Sequence, residues 1–249
     1  MSIPSQPLSP KPIPYKAIFF DVGGTLIYPE PQRMLRIFSD LAPNSPVLDS
    51  WLRAIHETTV ELDDAIKFEG ALKDEWWNSY FSRLLNHLPE NSHLAKDKVI
   101  LFCNKLHEYH VSNNLWAYHA TGADETLKTL MKQGFRLGII SNSDGRVRSQ
   151  IEEAGWLQYF EFIIDSRVVG VEKPDPAIFQ LGLEKANLSA REVLYIGDFV
   201  NIDKAGAASV GMDCIIIDPL FRRPELGQWR IDNLIDIIPW LENALTDRL

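Results

Sequence analysis

The sequence predicts an α/β fold in which a doubly wound parallel sheet carries an inserted, all-helical domain. Short, continuously apolar segments recur along the chain and end in small or acidic residues, as buried parallel strands do. Helical patterns separate the later segments, and such alternation is typical of a doubly wound sheet. More than one hundred residues separate the first apolar segment from the second, although a crossover between parallel strands needs only about thirty.

Five strands are predicted, over residues 16–21, 135–141, 161–165, 192–197 and 212–218. A helix over residues 121–133 is predicted to stop at Gly134, which can adopt the left-handed cap conformation. Another helix is predicted to begin at Asp175, an N-cap residue, with Pro176 in its first turn. Residues 231–245 have apolar side chains at helical spacing and are predicted to form an amphipathic helix against the core.

The long interval between the first two strands is predicted to be helical throughout. Apolar residues recur at helical spacing over residues 31–41, 48–66, 72–88 and 94–109. We expect this insert to form a cap over the end of the first strand and to close over the site. Trp76 and Trp77 could line the substrate pocket, but we favour packing in the cap's own core. His107 and His110 are expected to lie on a helix surface.

Composition and charge exclude several classes of protein. The chain has 249 residues, of which 45% are hydrophobic and 24% charged, as in an ordinary globular protein of one or two domains. No apolar run approaches the roughly 20 residues that cross a bilayer. The net charge of −9 argues against nucleic-acid binding. Cys103 and Cys214 are too few for a disulfide framework or a Cys-rich zinc site, and they suit a reducing compartment.

The first 14 residues carry five prolines and lack the apolar stretch of a signal peptide. We predict that residues 1–14 form a disordered tail and that the protein is cytoplasmic. The predicted core domain comprises residues 15–28 and 121–249, and the predicted cap comprises residues 29–120.

Residues able to carry chemistry stand at four successive strand ends. In chain order they are Asp21 to Thr25, then Ser141 and Asn142, then Lys173, then Asp198 with Asp203 close behind. One Asp or Ser at a strand end is often a plain turn or cap residue. Because ligands of open α/β sheets bind beyond the carboxyl ends of the strands, four such ends in succession indicate one site.

The segments that carry these residues are FFDVGGTL, IISNSD, EKPDPAIF and IGDFVNIDKAGA. They resemble the motifs of the haloacid dehalogenase-like (HAD) hydrolase superfamily, and the resemblance spans residues 16–218. It implies a Rossmann-like core with a helical cap and an enzyme that hydrolyses a small phosphorylated metabolite. Within the insert, Gly70 followed by Trp76 and Trp77 is similar to the branch related to the rhythmically expressed gene protein.

The resemblance implies a nucleophile and a metal site. Asp21 is the implied nucleophile, which would form an aspartyl-phosphate and so divide the reaction into two easier steps. Mg²⁺ is the implied cofactor, because a hard cation with oxygen ligands screens the attack of one anion on another. Asp21, Asp198 and the main-chain carbonyl of Gly23 would hold it, with Asp203 in an outer position.

The remaining motif residues are implied to bind or neutralise the phosphate. The main chain at Gly24 can approach it closely, and Thr25 or Ser141 offers a hydroxyl. Thr25 could instead cap a following helix. Asn142 is a neighbour that orients phosphate, and Lys173 supplies a positive charge between the nucleophile and the transferred group.

The sequence departs from the family pattern at Gly23. Phosphatases of the superfamily carry a second aspartate two residues after the nucleophile, where it protonates the leaving group and then activates water. General acid–base catalysis contributes about 10²–10⁴-fold, so the loss is substantial.

Three interpretations follow. In the first, a Mg²⁺-dependent phosphatase acts on esters or anhydrides whose leaving groups need little protonation, or a cap residue or a water molecule replaces the aspartate. The candidate cap residues are Glu30, Asp63, Asp64 and Glu69. In the second, the protein cleaves carbon–halogen bonds, or it cleaves carbon–phosphorus bonds and Lys67 forms a Schiff base with the substrate. In the third, it is a degraded enzyme that binds a phosphate compound or a partner protein. We favour the first over the third, and the second last.

Overall fold

A computed structural model describes residues 15–42, 44–69, 76–89 and 94–246. The predicted tail over residues 1–14 lies outside the described residues. In chain order the strands are β1 (Ala17–Phe20), β2 (Ile27–Pro29), β3 (Trp116–His119), β4 (Arg136–Ser141), β5 (Phe160–Asp165), β6 (Val193–Gly197), β7 (Asp213–Ile217) and β8 (Arg230–Ile231). The helices are α1 (Pro31–Ser39), α2 (Leu48–Glu69), α3 (Trp76–Asn86), α4 (Lys96–Asn113), α5 (Ala123–Lys132), α6 (Val147–Glu153), α7 (Ser166–Val169), α8 (Pro176–Ala186), α9 (Ala205–Ser209) and α10 (Ile237–Thr246).

The main sheet has six strands in the order β5-β4-β1-β6-β7-β8, and every neighbouring pair is parallel. All four residues of β1 are buried. Ile18 and Phe20 join the apolar cluster on one face, whereas Ala17 and Phe19 join the cluster on the other. This double burial explains why the strands are continuously apolar, and the predicted doubly wound α/β fold is confirmed.

Two predicted helix boundaries are confirmed by their capping contacts. Helix α5 ends before Gly134, whose φ of 90° is left-handed, and the N–H of Phe135 donates to the Leu130 carbonyl at 3.1 Å. At the start of α8, the Asp175 carboxylate accepts the N–H of Ala177 at 2.9 Å, and Pro176 occupies the first helical position.

The predicted carboxyl-terminal helix over residues 231–245 begins too early. Ile231 belongs to β8 and pairs with Ile217, and α10 starts only at Ile237. Pairing with β7 makes the start of this segment a strand, although its apolar residues have helical spacing. The sequence does not show the strand, because two residues are too few to form a recognisable pattern. One residue of the predicted apolar face, Ile235, is 39% exposed.

Helices α1 to α4 lie between β2 and β3 in the chain, where the sequence predicts a helical insert. The expectation that residues 29–120 are helical throughout is wrong at β3, which pairs antiparallel with β2 through Tyr28 and Tyr118. Alternate residues of β3 are half-buried and exposed, the period of a strand with one covered face. Phe38, Trp51 and Phe102 pack together among the insert's helices, with ring centroids 5.6–6.1 Å apart. We retain the predicted division into core and cap as a proposal that this packing supports.

Both cysteines are buried and free, as ordinary packing residues are. None of the helices in the described ranges combines the length and apolar character that a membrane span requires.

Candidate active site

The predicted residues meet at the carboxyl edge of the main sheet. Asp21 directly follows β1, Ser141 ends β4 and Asp198 directly follows β6. Because β4, β1 and β6 are neighbours, their ends lie side by side. These three residues, with Lys173 and Asp203, line one cavity of about 580 Å³ between the sheet edge and the helical insert.

Lys173 is the centre of the polar network. Its Nζ donates to Oδ1 of Asp21 at 2.7 Å, to Oδ1 of Asp203 at 2.6 Å and to the hydroxyl of Tyr195 at 3.0 Å. Burial alone would lower the pKa of Lys173, but the carboxylates of Asp203 and Asp21 outweigh it and hold the pKa above its ordinary value. The ammonium therefore stays charged beside the predicted nucleophile.

Three buried carboxylates share this one ammonium. Oxygen atoms of Asp21, Asp198 and Asp203 lie within 4.8 Å of one another. Burial raises the pKa of Asp198 well above its usual range, and the charges of Asp203 and Asp21 raise it further. Burial also raises the pKa of Asp21, although Lys173 opposes the shift. The cluster carries more negative charge than Lys173 can balance.

The donors of this cluster fit a hard divalent cation. Oδ1 of Asp198 is buried and has no hydrogen-bond partner among the described residues. Both oxygens of Asp203 are engaged: Oδ1 accepts from Lys173, and Oδ2 accepts the N–H groups of Asp198 and Phe199 at 3.1 and 3.0 Å. A cation held by Asp21 and Asp198 would give Oδ1 of Asp198 a partner. Asp203 would orient the site through its hydrogen bonds to Lys173 and to the main chain at Asp198.

The loop after β1 closes tightly against Asp198. Gly24 has a left-handed φ of 82°, and a Cβ at this position would lie 2.0 Å from Oδ2 of Asp198. Only glycine fits at this position. The N–H of Gly24 donates to the Ile27 carbonyl at 3.0 Å, so it already has a partner within the turn.

The predicted phosphate ligands differ in what the structure lets them do. Ser141 and Asn142 line the cavity, whereas Thr25 is not among its lining residues. Thr25 is fully buried, and its Oγ1 has no hydrogen-bond partner in the part of the chain that the structure describes. Thr25 precedes strand β2, so the expectation that it caps a helix is wrong. Nδ2 of Asn142 donates to the Lys173 carbonyl at 2.9 Å, and Oδ1 accepts the Lys173 N–H at 2.7 Å. These two bonds hold the main chain of Lys173 in place.

Three candidates to replace the missing aspartate are engaged elsewhere. Glu30 caps α1 by accepting the N–H of Gln32 at 3.1 Å. The buried Asp63 accepts the main-chain N–H groups of Val200 and Asn201 at 3.2 and 2.8 Å. Asp64 pairs with Arg223 at 2.7 Å. None of these three carboxylates lines the cavity, nor does Lys67. The side chain of Glu69 lies outside the described residues.

Aromatic side chains form one wall of the cavity, which is the less favoured of the two predicted positions for Trp76 and Trp77. Trp76 and Trp77, expected in the cap core, both line the cavity together with Tyr80 and Trp116. His110, expected on the surface, is buried. Its Nδ1 accepts the N–H of Leu115 at 3.1 Å, and its Nε2 lies 3.2 Å from the Asp144 carboxylate. The adjacent tryptophans were the available signal, but helical spacing did not reveal which face meets the core.

Comparison with known proteins gives a consistent set of relatives. A sequence model of the haloacid dehalogenase-like hydrolase family matches residues 15–211. The haloacid dehalogenase-like hydrolase domain-containing protein 3 of Bos taurus is 28% identical over 70% of each chain. The rhythmically expressed gene 2 protein of Drosophila melanogaster is 30% identical over 57% of this chain and 56% of its own. The glyceraldehyde 3-phosphate phosphatase of Pyrococcus abyssi is 31% identical over 80% of each chain.

Solved structures share the architecture. The HAD-hydrolase YfnB from Bacillus subtilis has a TM-score of 0.61 at 22% identity, over 92% of this chain and 99% of that one. A dehalogenase has a TM-score of 0.60 at 17% identity, over 90% of this chain and 96% of its own. At such identities the similarity shows the fold alone, so the fold does not choose between phosphate and halide chemistry.

Proposed function

The chain belongs to the haloacid dehalogenase-like hydrolase family, and from that premise we propose that it is a Mg²⁺-dependent phosphatase of small phosphorylated metabolites. The observation that carries the proposal is the buried cluster of Asp21, Asp198 and Asp203, in which Oδ1 of Asp198 has no partner among the described residues. Three carboxylates that face a single ammonium leave excess negative charge, which a divalent cation can neutralise. The phosphatase of Pyrococcus abyssi, 31% identical, supports phosphate chemistry.

Asp21 acts as the nucleophile in this proposal. Its Oδ1 accepts from Lys173, which leaves Oδ2 to form the bond to phosphorus as the bond from phosphorus to the leaving oxygen breaks. Water then attacks the phosphorus of the aspartyl-phosphate, inorganic phosphate departs, and the Asp21 carboxylate is regenerated. Lys173 opposes the rise that burial causes in the pKa of Asp21, and it offers positive charge next to the transferred group.

Mg²⁺, when held by Asp21, Asp198 and the main-chain carbonyl of Gly23, supplies charge screening for the phosphoryl oxygens. Asp203 positions Lys173 and the main chain at Asp198. Asn142 fixes the main chain of Lys173. Ser141 offers a hydroxyl at the cavity wall for a phosphoryl oxygen.

Gly23 leaves the site without a side chain that moves protons at that position. We therefore expect leaving groups that depart with little protonation. The lack of a proton-transferring side chain at position 23 also favours a second candidate function. In that case the protein is a degraded enzyme that binds a phosphate compound without turnover. Dehalogenation and phosphonate cleavage stand last, because the acidic cluster fits a cation and Lys67 is not among the cavity's lining residues.

The test is a panel of phosphate compounds, including an aryl phosphate with a good leaving group, assayed with and without Mg²⁺. We expect phosphate release that requires Mg²⁺ and that Asp21→Asn abolishes. Asp124→Asn, a change at an exposed aspartate on α5 that pairs with Lys128, is the matched control and should keep full activity. Affinity for Mg²⁺ without any turnover would favour the binding protein, and metal-independent release of halide from a haloacid would favour a dehalogenase.

A further inference from the structure

We propose that the substrate is an aryl phosphate monoester, with the phosphate attached directly to an aromatic ring and no second anionic group. This inference rests on the proposed phosphatase function and assigns the substrate class of the same site. It follows from the wall of the cavity, from the charges along it and from the residue at position 23.

The cap side of the cavity is an aromatic wall made by α3 and β3. Trp76 stacks on Tyr80 with ring centroids 5.1 Å apart, and its ring lies 5.9 Å from that of Trp116. Trp77 lies 6.0 Å from Trp116 on another side. Trp76 remains 37% exposed while lining the cavity. Planar faces of this kind favour stacking with a planar ring over contact with a hydrated sugar.

The wall extends to position 23, in the same cavity as the nucleophile. A Cβ at Gly23 would lie 3.4 Å from Nε1 of Trp116, and position 23 is two residues from the nucleophile. A group bonded directly to the phosphoryl oxygen would therefore meet the indole of Trp116. A ring attached without a spacer suits this depth.

The cations that line the cavity already have partners. Lys173 pairs with Asp21 and Asp203. Arg146 pairs with Asp144 at 2.8 Å and also donates to the His110 carbonyl at 2.6 Å. Within the described ranges, the lining holds no other lysine or arginine to bind a second phosphate or a carboxylate.

His110 does not supply the missing positive charge. Its Nδ1 accepts the Leu115 N–H, so the proton of the neutral ring stands on Nε2 and donates to Asp144. Burial lowers the pKa of His110, and Arg146 lowers it further. No lysine or arginine among the described lining residues is therefore left to bind a second anionic group, and we infer an uncharged leaving portion.

The absence of a proton donor at position 23 also favours aryl phosphates as substrates. A phenol ionises near pH 10, as tyrosine does, whereas an alkyl alcohol resembles water, with a pKa near 16. A phenolate can depart without a general acid. Trp116, the side chain nearest to position 23, has an N–H that can donate a hydrogen bond but no proton that it can transfer. An aryl phosphate combines the ring that fits the wall with a leaving group that fits the chemistry.

Turnover of three compounds in the presence of Mg²⁺ tests separately the contribution of the aromatic ring and that of the leaving group. Benzyl phosphate has the ring but a poor leaving group, acetyl phosphate has a good leaving group but no ring, and phenyl phosphate has both. We expect kcat/KM for phenyl phosphate to exceed that of each of the others about tenfold. Trp76→Ala should raise KM for the two ring compounds about three- to tenfold and leave acetyl phosphate unchanged. Trp240→Ala, at a tryptophan outside the cavity, should change none of them. Equal KM values for phenyl and acetyl phosphate, unaffected by Trp76→Ala, would overturn the inference.

A binding measurement separates this inference from the proposed function. Calorimetric titration of Asp21→Asn with phenyl phosphate and with methyl phosphate, both with Mg²⁺, requires no turnover. We expect phenyl phosphate to bind about tenfold more tightly, and the addition of Trp76→Ala to remove the difference. If the wild type turns over no phosphate compound but this preference holds, the phosphatase proposal fails while the aromatic specificity stands. Equal binding of the two compounds would sink the aromatic specificity whether or not the enzyme is active.

Discussion

A Cβ atom on Gly23 would lie 3.4 Å from Nε1 of Trp116, an ordinary van der Waals separation. The φ of Gly23 is outside the left-handed region, unlike that of Gly24. Position 23 can therefore hold a Cβ atom without backbone strain or collision. The absence of an acid there is a matter of residue identity, and a single substitution can restore it.

Gly23→Asp is expected to raise turnover of alkyl phosphates, whose leaving groups need a proton. General acid–base catalysis contributes about 10²–10⁴-fold, so we expect a gain in kcat of at least about tenfold on benzyl phosphate. The gain on phenyl phosphate should be smaller, because a phenolate departs unaided. Steady-state kinetics on both compounds measure the difference.

The matched control is Gly23→Asn, which has nearly the same size but no acidic proton. It should give no gain on the alkyl compound. If neither variant improves any alkyl phosphate, or if both improve it equally, the missing-acid account is wrong.

Asp198→Asn is expected to stabilise the metal-free protein. Removing one of three buried carboxylates relieves repulsion that Lys173 alone does not balance, and we expect a gain of about 1–3 kcal/mol in the free energy of unfolding. The wild type should be stabilised by Mg²⁺ through preferential binding to the folded state, and the variant should lose that effect.

Thermal unfolding with and without Mg²⁺ measures both outcomes of this change. The exposed Asp124→Asn should alter neither the metal-free Tm nor the shift that Mg²⁺ produces. A lower metal-free Tm for Asp198→Asn, together with an unchanged shift, would show that this carboxylate does not belong to a cation site.

The strand ends were predictable from sequence, whereas the cavity's cap side was predictable only as a less favoured alternative for Trp76 and Trp77. Asp21 and Asp198 follow segments whose apolar character is local and continuous, so parallel pairing alone places them together. Strand β3 has four residues and strand β8 has two. Both form by pairing with strands distant in sequence, which local sequence patterns do not reveal. His110 is buried because α4 packs its ring against Trp77, with centroids 5.0 Å apart. Helical spacing identifies an apolar face but does not say which domain covers it.

Asp63→Ala is expected to destabilise the fold by about 2–4 kcal/mol, because it leaves buried groups without partners. The Asp63 carboxylate on α2 accepts the main-chain N–H groups of Val200 and Asn201 and pairs with Arg223 at 3.1 Å. These bonds tie the insert to the turn that carries Asp203. Urea denaturation followed by circular dichroism gives the change in the free energy of unfolding.

The adjacent Asp64 offers a close control for this prediction. It pairs with the same arginine, but its side chain is 49% exposed, so Asp64→Ala should cost less than about 1 kcal/mol. Equal losses for the two variants would mean that the buried main-chain bonds of Asp63 contribute nothing beyond the ion pair.

His56 is expected to make the fold sensitive to mild acid. Its ring lies on α2 against Tyr28, with centroids 5.3 Å apart. Burial lowers the pKa of His56 to about 4, against the opposing charges of Asp218 and Glu57. In the unfolded chain a histidine takes up its proton near pH 6.5. Between pH 6.5 and 4 the unfolded state therefore binds more protons than the folded state, so the free energy of unfolding falls as the pH falls.

The loss attributable to His56 should reach roughly 3 kcal/mol across this window and be absent above about pH 7. The glutamine of His56→Gln has no ionisable group, so this variant should lose less stability than the wild type between pH 7 and pH 5. The measurement is a series of urea titrations at pH 7.5, 6 and 5 on both proteins. The difference between the two slopes isolates the contribution of His56. Identical slopes would show that His56 is already protonated in the folded protein, or exposed to water in it.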